Sequence, residues 1–257
     1  MSNDKLTPAS RVAPFLVAAA ALLLWQALCT LHLLPHAMFP TPHDVVLGFE
    51  EEIRAGRLFN DLIASLWRVA IGFGLAVLLA VPFGLWIGSS MRARQALMPA
   101  INFMRSLSPI AWLGFAVVWF GLGDRPAIFL IFLSVFFPLA VTVGSAVATI
   151  PAVYFRVARD YGVTGRELLA RVVLPAIMPQ LITALRVAIG VSWVVLVAAE
   201  MVAGRDGLGY AIQDDRNGLR QDLLVVHMIV IGLVGIVLDR LLLRLTRVPS
   251  VRWGYER

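Results

Sequence analysis

The sequence predicts an all-α integral membrane protein with six transmembrane helices and both termini in the cytoplasm. Three observations predict it. Apolar residues make up 60% of the 257 positions and charged residues only 15%, with a mean hydropathy of +0.83. Six apolar stretches are each long enough to cross a hydrocarbon core, and the basic residues are divided unevenly between the segments that join them. A soluble domain carries roughly a quarter of its residues charged, so most helix surface here has to meet lipid or another helix.

A core about 30 Å thick takes about 20 apolar helical residues at a rise of about 1.5 Å. The first stretch covers residues 12–34; it is too long for a signal-peptide core and has no cleavage site, so it reads as a span. The second covers 69–91, uncharged between Arg68 and Arg92, and the others cover 97–121, 126–150, 182–203 and 223–245. Pro82, Pro109 and Pro138 fall inside spans, where neighbouring helices can satisfy the carbonyls they free. Six spans leave both termini on one side. Fourteen basic residues lie on that side against six on the other, with Arg68 and Arg105 at or within spans, so the termini are expected in the cytoplasm. The expected organisation is a cytoplasmic tail at 1–11, a transmembrane domain at 12–245 and a second cytoplasmic tail at 246–257. The net charge of +6 is then a topology signal, and nucleic acid is not an expected partner. The outer segments hold Asp44, Glu50, Glu51, Glu52, Asp61, Asp206, Asp214, Asp215 and Asp222, which read as solvated faces that could also meet a soluble external partner.

Of the 22 basic residues 21 are arginine, and Lys5 is the one lysine. A phosphate-binding loop of the GxxxxGK[ST] kind and an internal Schiff-base lysine are both excluded, so this chain is not expected to bind ATP, Mg or another cofactor itself. The lone Cys29 excludes an internal disulfide and a paired-cysteine zinc site, and reads as a small lipid- or core-facing residue. No metal-binding or catalytic residue is expected. Gly121 to Asp124 spells the GxGD of intramembrane aspartyl proteases, but that chemistry needs a second aspartate at membrane depth, and Asp124 stands where a helix N-cap is expected. Gly84 and Gly88 form a GxxxG suited to close helix packing, within the chain or across a dimer. RVAIG occurs at 68–72 and again at 186–190 in spans of opposite direction, which leaves an ion-coupled secondary transporter as the alternative.

Charges inside spans are costly and therefore informative. Arg105 is a candidate for the solute path, since a guanidinium makes forked bonds to an oxyanion, with snorkelling to headgroups as the competing reading. Glu200 is expected to steady the outer end of span five, and Asp239 and Arg240 to lie at the cytoplasmic boundary. Tyr154 to Gln180, within the cytoplasmic stretch 151–180, reads as two short helices about a turn. Gly162 stands where a helix ends in the left-handed conformation, and Thr164 and Glu167 have capping-box spacing. Leu168, Leu169, Val172, Val173 and Ala176 form an apolar stripe opposite Arg166, Glu167, Ala170 and Arg171, and Pro175 and Pro179 are expected to end or kink the helix. Such a segment either rests on headgroups or docks a cytoplasmic partner.

This segment resembles the EAA loop of binding-protein-dependent ABC importer permeases, EAAxxxG followed thirteen residues after the glycine by the proline of a Leu-Pro pair. Gly162 and Leu174-Pro175 keep that spacing and Ala158 takes the second alanine position, while Arg156 and Val157 replace the glutamate and the first alanine. LRVAIGVSWVVLVAAEMVAG (185–204), DGLGYAI (206–212), WFGLGD (119–124) and VRWGY (251–255) are similar to the nitrate, sulfonate and taurine group of that family. The resemblance implies a non-enzymatic permease subunit of a bacterial inner (plasma) membrane importer for a small anion. It implies a second permease copy as a homodimer, separate ATPase subunits that bind ATP and Mg, an external solute-binding protein, and surrounding lipid. By position it assigns ATPase coupling to Arg156, Ala158, Arg159, Asp160, Tyr161, Gly162, Thr164, Gly165, Glu167 and Leu168, with Leu174 and Pro175 closing the pattern.

Overall fold

The computed structural model describes residues 8–31 and 39–245, in which all regular secondary structure is helical. The tails expected at 1–11 and 246–257 lie mostly or wholly outside the described residues, as do residues 32–34 of the first expected span. Helix α1 runs from Pro8 to Thr30, starting before that span, and is apolar over Ala19–Thr30. Then come α2 (Pro42–Ala55), α3 (Arg57–Ser89), α4 (Met91–Ser106), a 3-10 turn (Pro109–Trp112), α5 (Leu113–Phe120), α6 (Asp124–Ala148), α7 (Ala152–Asp160), α8 (Gly165–Leu168), a π turn (Leu169–Val173), α9 (Leu174–Ala203), α10 (Leu208–Asn217) and α11 (Gln221–Leu245). Among the described residues four helices are long and apolar enough to cross a membrane, namely Arg57–Ser89, Asp124–Ala148, Gly165–Ala203 and Gln221–Arg244. A fifth is added if α4 and the bent segment after it count as one span. The chain is thus an all-α, multi-pass membrane protein.

Helix boundaries follow local chemistry. The Thr41 amide donates to Asp44 (2.9 Å) and the Asp44 amide donates to the Thr41 hydroxyl (3.2 Å), a capping box that opens α2. The backbone and then the hydroxyl hydrogen bonds of Thr41 hold the Asp44 carboxyl below the usual carboxylate range. Helix α3 begins twelve residues before the expected start of span two, because the charge of Arg68 is neutralised inside the fold and does not end the helix. Span three, expected as one helix, is broken. Proline disfavours the helical region for the residue before it, and Leu107 and Ser108 are extended (ψ 131° and 127°), so α4 and the segment after Pro109 meet at 84°. Trp119 and Phe120 then pack on Phe129 of α6 at ring distances of 6.0 and 5.4 Å, which fixes the bent segment.

The stretch from Gly165 to Ala203 is continuous, so Pro175 and Pro179 do not end a helix as expected. Proline lacks an N–H and crowds the carbonyl four residues earlier. Widening of the preceding turn into a π turn, in which the Leu174 amide donates to the Leu169 carbonyl, makes room for Pro175.

The chain divides into two compact units. One comprises the described residues of Met1–Phe59 with Ala211–Val230, and the other Asn60–Tyr210 with the described residues of Ile231–Arg257. In the first, Cys29 is buried with its thiol 3.8 Å from the Pro40 carbonyl, in agreement with its reading as a small packed residue. In the second, Leu130, Ile131, Leu139, Val143, Ile177 and Leu196 of α6 and α9 are fully buried. Helix α3 lies on α6 through its glycines. A Cβ on Gly84 would stand 2.7 Å from Val143 and 2.8 Å from the Ala140 carbonyl, and one on Gly88 2.6 Å from Val147 and 2.7 Å from the Gly144 carbonyl. The GxxxG is therefore an intrachain contact.

Because these contacts include backbone carbonyls, Gly84→Val and Gly88→Val are expected to destabilise the protein by about 1–3 kcal/mol or more. Gly114→Ala, whose Cβ would meet nothing within 4 Å, serves as the neutral control. Thermal unfolding midpoints of the three variants in detergent measure the contrast; a Gly88→Val midpoint equal to that of Gly114→Ala would remove the assigned α3 to α6 contact.

Candidate functional site

The exposed segment after α6 is built around one glycine. As α7 ends, the amides of Tyr161, Gly162 and Val163 donate to the carbonyls of Val157 (3.1 Å), Arg159 (2.9 Å) and Ala158 (2.8 Å). The chain reverses through Gly162 at φ +71°, a region where a side chain is strained. The expected helix-turn-helix is present, but its capping box is not. Thr164 makes no side-chain cap, because Gly165 also turns left-handed (φ +58°), and Glu167 pairs instead with Arg171 at 2.9 Å. The expected stripe is observed: Leu168, Leu169, Val172, Val173 and Ala176 are buried or half-buried, while Arg166, Glu167, Ala170 and Arg171 are exposed. Of the other singled-out residues, Arg156, Arg159, Asp160, Gly162, Thr164, Gly165 and Pro175 are exposed, Leu174 is half-buried, and Ala158 is buried beneath α7. Val153, Tyr154, Val157 and the 83% exposed Tyr161 form an apolar face beside a groove of about 490 Å³ that reaches Arg171 and Val172.

At the other end of α9 lies a buried ionic network. Arg68 (1% exposed) donates from Nη1 to Glu200 Oε1 (2.6 Å) and the Asp206 carbonyl (2.8 Å), from Nε to Asp124 Oδ1 (2.7 Å), and from Nη2 to the Asp206 carboxylate. Glu200 (0% exposed) also accepts from the Ser65 hydroxyl and the Gly209 amide, each at 2.9 Å. Ser65 in turn accepts from the Leu208 amide (2.9 Å), and Asp61 from the Gly207 amide (2.8 Å). The close approach explains the segment Asp-Gly-Leu-Gly. Gly207 has φ +101° and its Cβ would stand 2.6 Å from Arg68 Nη1, and a Cβ on Gly209 would stand 2.8 Å from that of Glu200.

Residues 80–248 match the model of the binding-protein-dependent transport system inner membrane component family. The chain belongs to this family. It is 32% identical over 239 residues to the taurine transport system permease protein TauC of Escherichia coli, covering 90% of this chain and 87% of that one. It is 31% identical over 243 residues to SsuC of Bacillus subtilis, whose name assigns it to aliphatic sulfonates (94% and 88% covered). It is 37% identical over 191 residues to the bicarbonate transport system permease protein CmpB of Synechococcus elongatus (74% and 69%). The inward-facing MetNI methionine ABC transporter shares the fold, with a TM-score of 0.59 at 20% identity, over 74% of this chain and 97% of that one.

As a family member the chain is a transport subunit rather than an enzyme, and the carrier alternative built on RVAIG falls away. The two copies also differ in use: Gly72 packs against Ile131, whereas Gly190 faces open space. Several other expectations are corrected. Asp124 is not an N-cap, since Gly123 holds that position without a side-chain cap; Asp124 serves Arg68. Glu52, Asp61 and Asp215 are buried rather than solvated, because Arg57 reaches both the nearby Glu52 and the distant Asp215, and the Gly207 amide reaches Asp61 from far along the sequence. Asp239 accepts from Arg186 at 2.9 Å. Arg105 lies in the last turn of α4, beside the break, exposed and outside every ion pair among the described residues. Sequence reasoning set Arg68 aside as a span boundary. Its signal is visible afterwards: one arginine, facing an apolar run, in a chain whose DGLG and GLGD turns each carry an aspartate.

A permease lacking Arg68 would keep Glu200 as an uncompensated buried carboxylate. Arg68→Met is therefore expected to cost about 3–5 kcal/mol, and Arg68→Met with Glu200→Gln distinctly less. Thermal unfolding of the two variants tests this, and equal losses would show that Glu200 does not depend on Arg68.

Proposed function

We propose that this permease forms the solute path of an ATP-driven importer for a small anion of the nitrate, taurine or alkanesulfonate class. The proposed arrangement has six spans and cytoplasmic termini, as supported by the distribution of arginine. It has a second copy as partner, an external binding protein that delivers the solute, and ATPase subunits that dock on 151–180. The names of TauC, SsuC and CmpB support the solute class, since taurine and alkanesulfonates carry a sulfonate and bicarbonate is itself an anion.

The observation that carries the coupling role is the exposed turn at Gly162 between two short helices. It offers Tyr161, Arg159, Asp160, Thr164 and Glu167 to a partner, while Ala158 and Val173 hold it to the body of the chain. The apolar face of α7 suits a hydrophobic groove on that partner. The lost EAA glutamate leaves Arg156 exposed, so contact in this chain is made through guanidinium and aromatic groups.

The solute path in this reading follows the open groove of about 660 Å³ between α6 and α9, where Thr142, Gln180 and Thr183 are exposed in otherwise apolar spans. The Thr142 and Thr183 hydroxyls donate to the Pro138 (2.9 Å) and Pro179 (3.0 Å) carbonyls of their own helices, and the exposed Gln180 amide is the group that suits a water-filled path rather than lipid. Arg105, exposed and outside every ion pair among the described residues, is a further contact for an anion. Glu200, enclosed by Arg68, Ser65 and Gly209, is structural.

Two outcomes test the reading. Gly162→Val strains the turn by about 1–2 kcal/mol and is expected to lower solute carried per ATP hydrolysed about tenfold in liposomes bearing the whole complex; an unchanged ratio would refute docking at 151–180. Gentle purification is expected to bring an ATPase chain along with the permease, and ion-driven uptake by this chain alone would reject the importer.

A further inference from the structure

The groove between α6 and α9 has a neighbour. A second groove, of about 600 Å³, lies between the end of α6 and the start of α9, with Thr149, Tyr154, Arg171 and Pro175 among its lining residues. Gln180 lines both grooves. It is exposed, and its carboxamide makes no hydrogen bond among the described residues. Two further observations bear on what fills the grooves. Pro138 and Pro179 lack the N–H that the carbonyls of Ser134 and Pro175 would otherwise accept from, and Ser134 and Pro175 line the first and the second groove. Carbonyls freed in this way are met by water or polar neighbours. No carboxylate lines either groove among the described residues, whereas the Gln180 carboxamide and the Arg171 guanidinium supply donors along them. Arg171 is exposed and paired with the exposed Glu167 at 2.9 Å.

We propose that the two grooves form one hydrated passage, that Gln180 at their junction is its specificity-determining contact for an anion, and that the passage opens beside Tyr154 and Arg171. This rests on the chain being an anion importer and adds a route and a selecting group. A carboxamide turns N–H donors toward an oxyanion but carries no fixed charge, so it favours an anion over a cation without trapping it. From Arg171 to Val191, the extremes of the lined stretch on this helix, the rise is about 30 Å, close to the thickness of a hydrocarbon core. Tyr154, Arg171 and Val172 line both the second groove and the groove beside the apolar face of α7. The solute therefore leaves next to the surface on which the ATPase docks.

The test labels single thiols in the full chain in lipid nanodiscs, with Cys29→Ala removing the one native cysteine. The probes are 2-sulfonatoethyl methanethiosulfonate, itself an alkanesulfonate, and its cationic trimethylammonium counterpart, each rate being taken relative to that with free cysteine. Thr183→Cys reports on the first groove and Thr149→Cys on the second, and Leu78→Cys, exposed on α3, gives the rate outside both. At 183 and 149 the sulfonate probe is expected to react at least about tenfold faster than the cationic one, and faster than at 78. Adding Gln180→Leu is expected to bring the ratio of the two probes at both positions to about one, and Gln180→Asn to restore the preference. No reaction at 183, as when lipid or a second copy covers the groove, would overturn the passage, and so would a preference at 183 that is absent at 149. A preference unchanged by Gln180→Leu would overturn the role of Gln180. These rates need neither the ATPase nor the binding protein, so failure of the passage is read separately from failure of the importer, which shows in co-purification.

Discussion

The end of the second unit around Glu200 depends on the satisfaction of one buried guanidinium. Taking Arg68 out of water costs several kcal/mol, and the cost is offset only if its donors meet well-placed acceptors. Here they do: Glu200 and Asp124 take two directions, and the carbonyl and carboxylate of Asp206 take the rest. Each acceptor comes from a different part of the chain, so a single side chain fixes the α3 helix, the turn before α6, the end of α9 and the loop before α10. The glycines of that loop follow from the same constraint, because a side chain at 207 or 209 would occupy the space of the ion pair. The helical start of α3 far ahead of its apolar run follows as well.

Between that network and the exposed helix-turn-helix, the interior consists of close packing. Alanines 76 and 80, with glycines 72, 84 and 88, bring α3 against α6, and the branched side chains of α6 fill the space between α3 and α9. Without a strong hydrophobic drive between helices in lipid, contact of this kind and buried polar bonds have to supply association. The Trp193 indole donating to the Ile231 carbonyl at 3.0 Å is one such bond, made between α9 and α11.

Much of this was legible in the sequence, for reasons that can be given residue by residue. The apolar runs of α6 and α11 were bounded within two residues, because hydropathy sums over a whole helix and tolerates local noise. The turn at Gly162 and the stripe from Leu168 to Ala176 were legible because both are set by neighbours within a few positions. What failed depended on distant partners or on fine geometry. Pro109 breaks its span while Pro82, Pro138 and Pro179 do not, and only the packing around each distinguishes them. The Thr164 and Glu167 pair has the right spacing, yet a left-handed Gly165 takes it out of reach. Asp61 and Asp215 looked like solvated charges because Gly207 and Arg57 stand 146 and 158 residues from them, and Glu52, although Arg57 is five residues away, is also faced by His227, 175 residues on.

The unbroken run from Gly165 to Ala203 has a mechanical consequence. Thirty-nine helical residues measure about 58 Å, so the exposed turn and the ion network of Glu200 are the two ends of one stiff rod. Its one irregular stretch, the π turn at 169–173, lies within a turn or two of the exposed end. Bending compliance is therefore concentrated there, and beyond it a displacement applied near Gly165 is carried along the axis with little loss. No loop intervenes to absorb it, and the far end meets a guanidinium whose donors are all engaged, so motion at one end has to be answered by sliding or rotation of the whole rod.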